Sequence, residues 1–516
     1  MTAPTPVRVV VAGGGTAGWI AATALARQLG SLVEVVLVES EQIGTVGVGE
    51  ATIPTARTFH QYLRIDERAF MAATGATFKL GIRFEDWAQQ GDSYIHSFGG
   101  YAMRNWVAEF QHFWLEARAQ GVAVAPVGSY CAEHEAARAG VFAKDGQPPL
   151  NYAYHLDAGR YAGFLRQVAE ADGARRVEGK IATVERDGES GDIAALVLED
   201  GQRIAGDLFI DCTGFRALLI GRELGSEYDD WSDYLPTDGA WAMQTELDGP
   251  PAPYTRAMAH GAGWQWRIPL QHRMGNGIVF CSRFMEADDA RATLERSVEG
   301  TPRTEPRLIR YQTGKRREMW RNNCLALGLS SGFVEPLEST SIHLVMIGVT
   351  RLIQMFPFGG VTQALRDRWN RASDVELERV RDFIALHYRL TQRTDSDFWR
   401  YMATMPIPDS LQARIDAFAQ DAQAWQGPED LFRVESWVQV MLGQRLEPAN
   451  WHRLGALMGD GRLARELAAQ QQRIAAQIGS MPAHGDFVAR YCPEHALQSN
   501  ADQNPVQAAK AVAQGT

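Results

Sequence analysis

The most informative stretch for the fold class is VRVVVAGGGTAGWIAATALARQL at residues 7–29. Val7 to Ala12 is a β-branched apolar run, which is typical of a buried strand. Three glycines end that run, and the Ala- and Leu-rich segment from Ala17 to Leu29 predicts a helix. A second β-branched run, Leu32 to Val38, leads directly to Glu39. Strand, glycine turn, helix, strand and acid in this order predict one βαβ unit at the start of the chain.

The glycines of this unit match the pattern Gly13-x-Gly15-x-x-Gly18, which is typical of dinucleotide sites. The first glycine permits a tight turn, the second lets the backbone approach a pyrophosphate, and the third lets helix and strand pack closely. The start of the helix then directs its dipole at the phosphates. Glu39 lies 21 residues after Gly18, where a carboxylate can accept hydrogen bonds from a ribose 2′-hydroxyl. We therefore predict a dinucleotide at Gly13, Gly15, Gly18 and Glu39.

A later stretch bears on which dinucleotide this is. Residues 207–214 read DLFIDCTG and are similar to the second fingerprint of FAD enzymes, where a strand ends in an Asp near the ribityl and pyrophosphate groups. A core strand whose Asp211 caps the next turn is the alternative interpretation. Only one GxGxxG pattern occurs in the chain. If it holds FAD, the flavin is reduced elsewhere, or by a nicotinamide cofactor that binds without this motif.

Composition excludes several classes of protein. The 516 residues include 51 Lys and Arg against 62 Asp and Glu, a formal charge of −11, with 45% hydrophobic and 22% charged residues. This is ordinary globular composition, so disorder or a disulfide scaffold is not expected for the chain as a whole. The acidic balance argues against nucleic acid as a partner. No apolar run is long enough for a membrane span, and five cysteines without a CxxC spacing indicate no metal site and fit the cytoplasm.

The rest of the chain mixes helices and strands. Helices are expected at about Val107–Gln120, Arg160–Ala169 and Arg462–Ile478, and strands at Arg203–Asp211, Gln265–Leu270 and Gly277–Cys281. From about Gly348 onward the pattern becomes helical. Together with the βαβ unit, this predicts an α/β fold with a second sheet and a helical C-terminal part.

Five motifs resemble those of the flavin-dependent halogenases of the tryptophan halogenase type. In chain order they are Gly13-Gly-Gly-Thr-Ala-Gly18-Trp19, Gly47-Val-Gly-Glu50-Ala51-Thr-Ile-Pro54, Phe78-Lys79-Leu-Gly81, Trp264-x-Trp266-x-Ile268-Pro269 and Pro336-Leu-Glu338-Ser339-Thr340. The WxWxIP pattern is the most specific, because it separates halogenases from related flavin monooxygenases. The resemblance covers about residues 7–455.

The resemblance implies a Rossmann-like FAD-binding domain of the GR2 type with a mixed sheet. A mainly helical C-terminal region covers the substrate. We expect residues 1–350 to form the FAD-binding and halogenase core, which is discontinuous and includes the second sheet. Residues 351–500 then form the helical substrate-side region, and residues 501–516 a disordered tail.

The implied reaction uses FAD as FADH2, O2 and a halide ion, chloride or bromide. These give hypohalous acid, which travels through an internal tunnel and halogenates an electron-rich aromatic ring. The implied partners are a separate NAD(P)H flavin reductase and a small aromatic substrate. A homodimer is compatible with the sequence, and neither nucleic acid nor a membrane is expected.

Two residues are the implied catalytic groups. Lys79 lies in the otherwise apolar stretch Thr77-Phe-Lys-Leu-Gly81, where an ammonium group is costly to bury unless it is paired or functional. Its implied role is to bind the hypohalous acid, or carry the halogen as a haloamine, and polarise the halogen. Glu338 would stabilise the cationic ring intermediate and take its proton. Glu335 is nearby, but Glu338 is the residue that aligns with the motif.

The other implied contacts fall into three groups. For the cofactor they are Gly13, Gly15, Thr16, Ala17, Gly18, Glu39, Glu50, Ala51, Ile181, Asp211, Leu329 and Ile342. For the halide they are the backbone N–H groups of Thr340 and Ser341, where a turn opens a helix. For the substrate they are His96, Phe98, Trp264, Trp266 and Trp437. Trp264 and Trp266 alternate on a strand, so both indoles face one side and would separate substrate from flavin.

One segment bears on the choice of substrate. Free-tryptophan halogenases hold the amino acid with a late segment that includes adjacent tyrosines, whereas residues 430–443 here read DLFRVESWVQVMLG. We therefore expect indole or a substituted indole rather than free tryptophan. The alternatives are a tryptophan halogenase proper, a flavin-dependent aromatic monooxygenase that hydroxylates, and a flavoprotein without catalytic activity.

Overall fold

A computed structural model describes residues 5–43, 49–101, 103 and 107–492. The motif residues Gly47 and Val48 and the expected tail 501–516 lie outside these ranges. The first strands are β1 (Val7–Ala12), β2 (Val33–Glu39), β3 (Gly49–Ala51), β4 (Thr77–Lys79), β5 (Gly81–Glu85), β6 (Ser93–Ser97) and β7 (Ala153–Asp157). The middle strands are β8 (Arg175–Glu178), β9 (Ile181–Arg186), β10 (Ile193–Leu198), β11 (Arg203–Ala205), β12 (Leu208–Asp211), β13 (Tyr228–Asp230), β14 (Gly239–Thr245) and β15 (Thr255–His260). The last strands are β16 (Gly263–Pro269), β17 (Met274–Phe280), β18 (Arg307–Arg310), β19 (Gly314–Arg316), β20 (Trp320–Arg321), β21 (Cys324–Ala326) and β22 (Gly332–Phe333).

The helices are spread through the chain and dominate its last part. Those before residue 300 are α1 (Thr16–Leu29), α2 (Thr55–Tyr62), α3 (Glu67–Thr74), α4 (Phe110–Ala119), α5 (Ala132–Ala139), α6 (Ala158–Ala171) and α7 (Ala287–Ser297). Those after it are α8 (Ser341–Gln354), α9 (Gln363–Arg389), α10 (Asp397–Thr404), α11 (Asp409–Asp421), α12 (Val434–Gly443), α13 (Arg462–Gly479) and α14 (His484–Tyr491). In the described part of the chain, every regular element after β22 is therefore helical.

The first sheet has the order β20-β21-β12-β1-β2-β8 and is parallel except for the β20–β21 pair. Its central strand β1 is buried on both faces. Val9 and Val11 point to the core that contains α1, whereas Val10 and Ala12 point to a second cluster with β10 and β12. Burial on both faces explains the continuous apolar run of β1. The βαβ unit and the α/β fold class are as expected from the sequence.

The second large sheet has the order β18-β14-β17-β16-β15-β5-β6 and is antiparallel except for the β15–β5 pair. It carries Trp264 and Trp266 on β16 and His96 on the edge strand β6. A small sheet, β3-β7-β4, pairs Glu50 with Leu156 and Lys79 with Ala153. The motif residues Glu50, Lys79, Trp264 and Trp266 are thus fixed on strands.

Several element boundaries differ from the sequence predictions, and the expected strand Gly277–Cys281, for example, begins at Met274. The expected strand Arg203–Asp211 is two strands, β11 and β12, which belong to different sheets. The chain breaks there because a side chain at Gly206 would lie 2.7 Å from Val10 Cγ2, and because the carboxylate of Asp207 accepts from the backbone N–H of Arg8. The first of the expected helices begins at Phe110 rather than Val107, and the helical part begins at Ser341 rather than Gly348.

The structure also bears on membranes and disulfides. No helix in the described ranges is long and apolar enough to cross a membrane. All five cysteines are buried and free.

Candidate active site

A cavity of about 990 Å³ opens at the end of β1, where the glycine turn leads into α1. Most of the predicted cofactor residues line it: Gly13, Gly15, Thr16, Ala17, Glu39, Glu50, Ala51, Ile181, Leu329 and Ile342. Trp264, Trp266, Ser339 and Ser341 line it as well. The cavity therefore runs from the glycine turn to the Trp-x-Trp strand and the loop before α8.

The glycines of the turn have different surroundings. A Cβ at Gly13, whose φ is +107°, would lie 2.3 Å from the carbonyl oxygen of Cys212, and a Cβ at Gly18 would lie 1.9 Å from that of Gly13. These two glycines are required by close backbone packing. A Cβ at Gly15 would meet no atom within 4 Å, so this glycine faces open space at the start of α1. That cradle fits a pyrophosphate, since free N–H groups at a helix start bind anions.

Glu39 ends β2 beside the turn. Its Oε1 accepts a hydrogen bond of 2.6 Å from Arg176 Nε, and a Cβ at Gly14 would lie 1.5 Å from its Oε2. Arg176 and the space at Gly14 therefore fix the carboxylate at the cavity wall. Glu50 lies on the wall too, and burial raises its pKa to about 7.

Two predicted cofactor residues lie behind the wall rather than on it. Gly18 packs against the Gly13 carbonyl, as described above. Asp211 is fully buried, and its carboxylate accepts from the backbone N–H groups of Thr213, Leu219 and Ile220, each at 2.9 Å. Asp211 thus caps the turn after β12, which is the alternative interpretation of the sequence, while the next residues, Cys212 to Gly214, line the cavity.

The Trp-x-Trp pair forms one side of the cavity. Both indoles project to the same side of β16, and their ring centroids are 6.1 Å apart. Gly277 pairs with Trp266 across the sheet, and a Cβ there would lie 2.0 Å from Trp266 Cζ2. The sheet therefore makes room for the Trp266 ring at the expense of a side chain on β17.

The loop before α8 provides the predicted halide contacts. A short 3-10 turn at Pro336–Glu338 is followed by Ser339, whose φ of +58° is unusual for a residue other than glycine. Thr340 is the N-cap residue of α8 and is fully buried, and its hydroxyl has no hydrogen-bond partner among the described residues. Ser341 faces the cavity. An unpaired buried hydroxyl next to free N–H groups at a helix start fits a small anion.

Lys79 ends β4 on the other side of this loop. Its Nζ donates to Ser339 Oγ at 2.8 Å and to the Thr52 carbonyl at 3.3 Å, and lies 5.4 Å from the centroid of the Phe98 ring. Burial lowers the pKa of Lys79 to about 7, and the negative charge of Glu338 partly opposes this decrease. Neither Lys79 nor Glu338 is among the described residues that line the cavity. Ser339 touches both regions and marks the boundary between them.

Glu338 is held between two buried histidines. His96 Nδ1 lies 2.9 Å from Oε2 and 3.0 Å from Oε1, and His387 Nε2 lies 2.9 Å from Oε1. Burial raises the pKa of Glu338, but the two histidines outweigh that effect and lower it to about 2. The carboxylate is therefore ionised at neutral pH and lies close enough to Lys79 to interact with it electrostatically.

Aromatic rings surround this region. His96 lies 5.4 Å from Phe383 and 6.2 Å from Phe432, which stack on each other at 3.7 Å. Trp437 packs edge-on against Phe383 at 4.9 Å. The guanidinium of Arg414 lies over the Trp437 ring, 4.3 Å from its centroid. Trp437 thus lies one layer behind Phe383 and Phe432.

Gln439 of α12 holds the end of β6 through two hydrogen bonds. The backbone N–H of Ser97 donates to Gln439 Oε1 at 2.7 Å, and the Ser97 hydroxyl donates to the same oxygen at 3.0 Å. This clamp fixes the strand that carries His96 and leads to Phe98.

Several of these residues were not singled out from the sequence. Ser339 stood inside a quoted motif, but its bond to Lys79 depends on a left-handed backbone that the sequence does not reveal. His387 and Phe383 lie in the part of the chain that was expected only to be helical, and His387 is 49 positions after Glu338. Phe432 lay in the segment that was compared with the tyrosine pair. Among the described residues, no group of three or more His, Cys, Asp or Glu side chains could hold a metal ion.

Comparison with known proteins agrees with this geometry. The family model "Tryptophan halogenase" matches residues 8–460. The tryptophan 6-halogenase SttH of Streptomyces toxytricini is 36% identical over 453 residues, which cover 81% of this chain and 84% of SttH.

Two solved structures are also similar. The flavin-dependent halogenase Xcc4156 of Xanthomonas campestris has 52% identity and a TM-score of 0.93, over 95% of this chain and 99% of that one. The flavin-dependent halogenase BrvH of Brevundimonas sp. BAL3 has 42% identity and a TM-score of 0.91, over 95% and 100% of the two chains. The chain therefore belongs to the tryptophan halogenase family, a family of flavin-dependent halogenases.

Proposed function

We propose that this enzyme halogenates indole or a substituted indole, with bromide or chloride as the halide. Flavin-dependent halogenases use FAD and a halide and need a separate flavin reductase. The observation that carries the proposal is that Lys79 and Glu338 are buried next to Ser339 but, unlike Ser339, do not line the cavity. A reacting ring beside them is separated from the flavin cavity by the loop.

The cavity residues hold the cofactor in this proposal. The open turn at Gly15 receives the pyrophosphate, Glu39 receives a ribose hydroxyl, and Leu329 and Ile342 flank the ring system. Bound and reduced, the flavin supplies the electrons with which O2 and halide give hypohalous acid. Trp264 and Trp266 keep the aromatic substrate out of this part, and the N–H groups at Thr340 and Ser341 hold the halide.

Lys79 and Glu338 then act on the ring. The Lys79 amine donates a hydrogen bond to hypohalous acid and polarises its halogen toward a ring carbon. A carbon–halogen bond forms as the oxygen–halogen bond breaks, and the hydroxide that leaves takes a proton from the Lys79 ammonium to become water. The ring then loses its displaced proton to Glu338, so that the protons balance. A lysine pKa of about 7 suits this role, because both protonation states are accessible near neutral pH.

The choice of indole over free tryptophan rests on the charged groups near Phe432. Asp430 pairs with Arg414 and accepts from the Gly427 N–H at 2.7 Å. Arg433 donates to the Phe98 carbonyl at 2.9 Å. Groups that could bind the ammonium and carboxylate of an amino acid are thus engaged within the chain. The names of relatives such as SttH favour tryptophan itself as the second candidate.

The test is a competition measured by mass spectrometry. Purified enzyme, FAD, a flavin reductase and NADH are mixed with equal indole and L-tryptophan, in bromide or in chloride. The proposal expects mainly halogenated indole. Mainly halogenated tryptophan supports the second candidate, and a hydroxylated ring identifies a monooxygenase.

Two further expectations belong with this proposal. The enzyme works in the cytoplasm, which five free cysteines and the supply of reduced flavin favour. Residues 351–500 act as the helical substrate-side region, since Phe383 of α9 and Phe432, which precedes α12, supply the rings around His96. Light scattering of the purified protein determines whether it is a homodimer.

A further inference from the structure

The contact between Glu338 and His387 indicates which nitrogens of the His387 ring carry a proton. Both side chains are buried, with exposures of 1% and 0%. His387 Nε2 lies 2.9 Å from Glu338 Oε1, off the direction of an ideal hydrogen bond. His96 contacts the same carboxylate with Nδ1, so both carboxylate oxygens already have one donor available.

The other nitrogen of His387 fixes its tautomer. Nδ1 lies 2.8 Å from the backbone carbonyl oxygen of Phe383, one turn earlier in α9. A carbonyl oxygen only accepts, so Nδ1 carries a hydrogen. A neutral His387 would then face the Glu338 carboxylate with the lone pair of Nε2, and two lone pairs at 2.9 Å repel each other. A proton on Nε2 removes this repulsion and gives an ion pair.

The surroundings of the pair favour the same arrangement. The titratable groups that face Glu338 are Lys79 on β4 and Tyr94 and His96 on β6, besides His387 itself. The ring of His387 otherwise packs among aromatic side chains: Phe84 at 4.7 Å, Phe383 at 5.2 Å and Trp87 at 6.2 Å. A carboxylate buried this deeply needs a paired cation to stay ionised.

We propose that His387 is a positioning residue that carries a proton on both ring nitrogens and thereby holds Glu338 as a carboxylate. This rests on the proposed function, because it is there that Glu338 accepts the ring proton. A carboxylate that is kept ionised is ready to accept that proton in each turnover. Without the imidazolium, burial makes the neutral acid more favourable, and the group loses its ability to act as a base.

The next residue of α9 provides a matched control. Tyr388 is also fully buried, and its hydroxyl donates to Glu335 at 2.6 Å, on the same loop as Glu338. Adjacent residues of one helix therefore hold two carboxylates of one loop. Tyr388→Phe removes an anchor of the loop but leaves the charge next to Glu338 unchanged.

The first experiment uses the intact protein without any substrate. Nitrogen-15 NMR of labelled histidine, with His387→Gln to assign the signal, reports the protonation of the ring at pH 7. An imidazolium signal for His387 is expected. A neutral ring at pH 7 overturns the proposal, whatever the outcome of any activity assay.

The second experiment compares the pH dependence of halogenation. Gln at position 387 keeps an N–H donor but no charge, so His387→Gln should lose activity at pH 6 by about tenfold more than at pH 8. The KM for the aromatic substrate should stay unchanged. Tyr388→Phe should reduce activity equally at both pH values. The same pH profile for both variants means that His387 only anchors the loop, and overturns the proposal. If the wild type halogenates no ring, the proposed function fails, while the NMR result still decides the state of His387.

Discussion

Replacement of Lys79 by Met separates the catalytic role of the ammonium from its effect on stability. Met fills similar space without a charge, and the site is fully buried. We expect Lys79→Met to abolish halogenation and, below pH 7, to make the protein more stable. A residue that is kept for its chemistry despite a cost in stability should behave in this way.

The size of the expected stability gain follows from the lowered pKa of Lys79. A lysine pKa lowered from 10.5 to about 7 corresponds to about 5 kcal/mol, at about 1.4 kcal/mol for each tenfold change. Two hydrogen bonds, to Ser339 and to the Thr52 carbonyl, are lost in the variant at about 1 kcal/mol each. The net gain is therefore about 3 kcal/mol.

This gain depends on pH in a defined direction. Between pH 7 and 10.5 the unfolded chain binds a proton that the folded protein lacks, so wild-type stability rises with pH across this window. Lys79→Met lacks this rise. The advantage of the variant is thus largest below pH 7 and falls to about zero near pH 9.

Urea unfolding at pH 6 and pH 9, compared between variant and wild type, measures this difference. Lys315→Met is the matched control, because Lys315 is also buried in the fold but pairs with Asp374 at 2.6 Å and Asp229 at 3.5 Å. That substitution removes the cation from Asp374, while Asp229 keeps its pair with Arg317, and should destabilise the protein by about 1–3 kcal/mol. A loss of stability at pH 6 in Lys79→Met, or an equal gain at both pH values, would show that the buried ammonium does not destabilise the folded protein in this way.

Three further predictions concern the cofactor cavity. Gly15→Ala adds a Cβ into open space, so unfolding should be unchanged without FAD while the FAD dissociation constant, measured by flavin fluorescence, rises at least about tenfold; an unchanged constant would contradict the phosphate cradle. Gly18→Ala places a Cβ 1.9 Å from the Gly13 carbonyl oxygen and should lower the stability without FAD by about 2 kcal/mol or more, as urea unfolding would reveal. Arg176→Ala releases Glu39 and should weaken FAD binding by roughly tenfold with little effect on the halide dependence of turnover; a changed halide dependence would indicate a different role for this pair.

The parts of the fold that could be predicted from the sequence are those set by local patterns. The run from Val7 to Ala12, the three glycines and the following helix each carry their own signal, and they are adjacent in the chain. The strand Arg203–Asp211 was predicted as one element because its apolar pattern continues across Gly206. The break depends on Val10 of β1 and on Arg8, which are about 200 residues away.

In the site, too, the residues with a local sequence pattern could be predicted, and the contacts between distant residues could not. Lys79 and Glu338 could be proposed because each stands in a motif of its own. Their relation to Ser339 and His387 depends on a left-handed residue and on the packing of α9, and neither has a sequence pattern. For Asp211, the sequence pattern was compatible with two roles. A strand that ends in Asp can contact a cofactor, but it can equally cap the backbone N–H groups of the following turn.

In the proposed function, the groups that act on the ring, Lys79 and Glu338, lie next to Ser339 and outside the cofactor cavity. The most direct measurement compares the wild type with Lys79→Met in FAD affinity, in the rate of reoxidation of reduced flavin, and in halogenated indole formed. We expect FAD affinity and the reoxidation rate to be unchanged and the product to fall at least about 100-fold. If the product persists, or if FAD affinity and reoxidation fall together with it, Lys79 does not act in a separate compartment, which contradicts the proposed function.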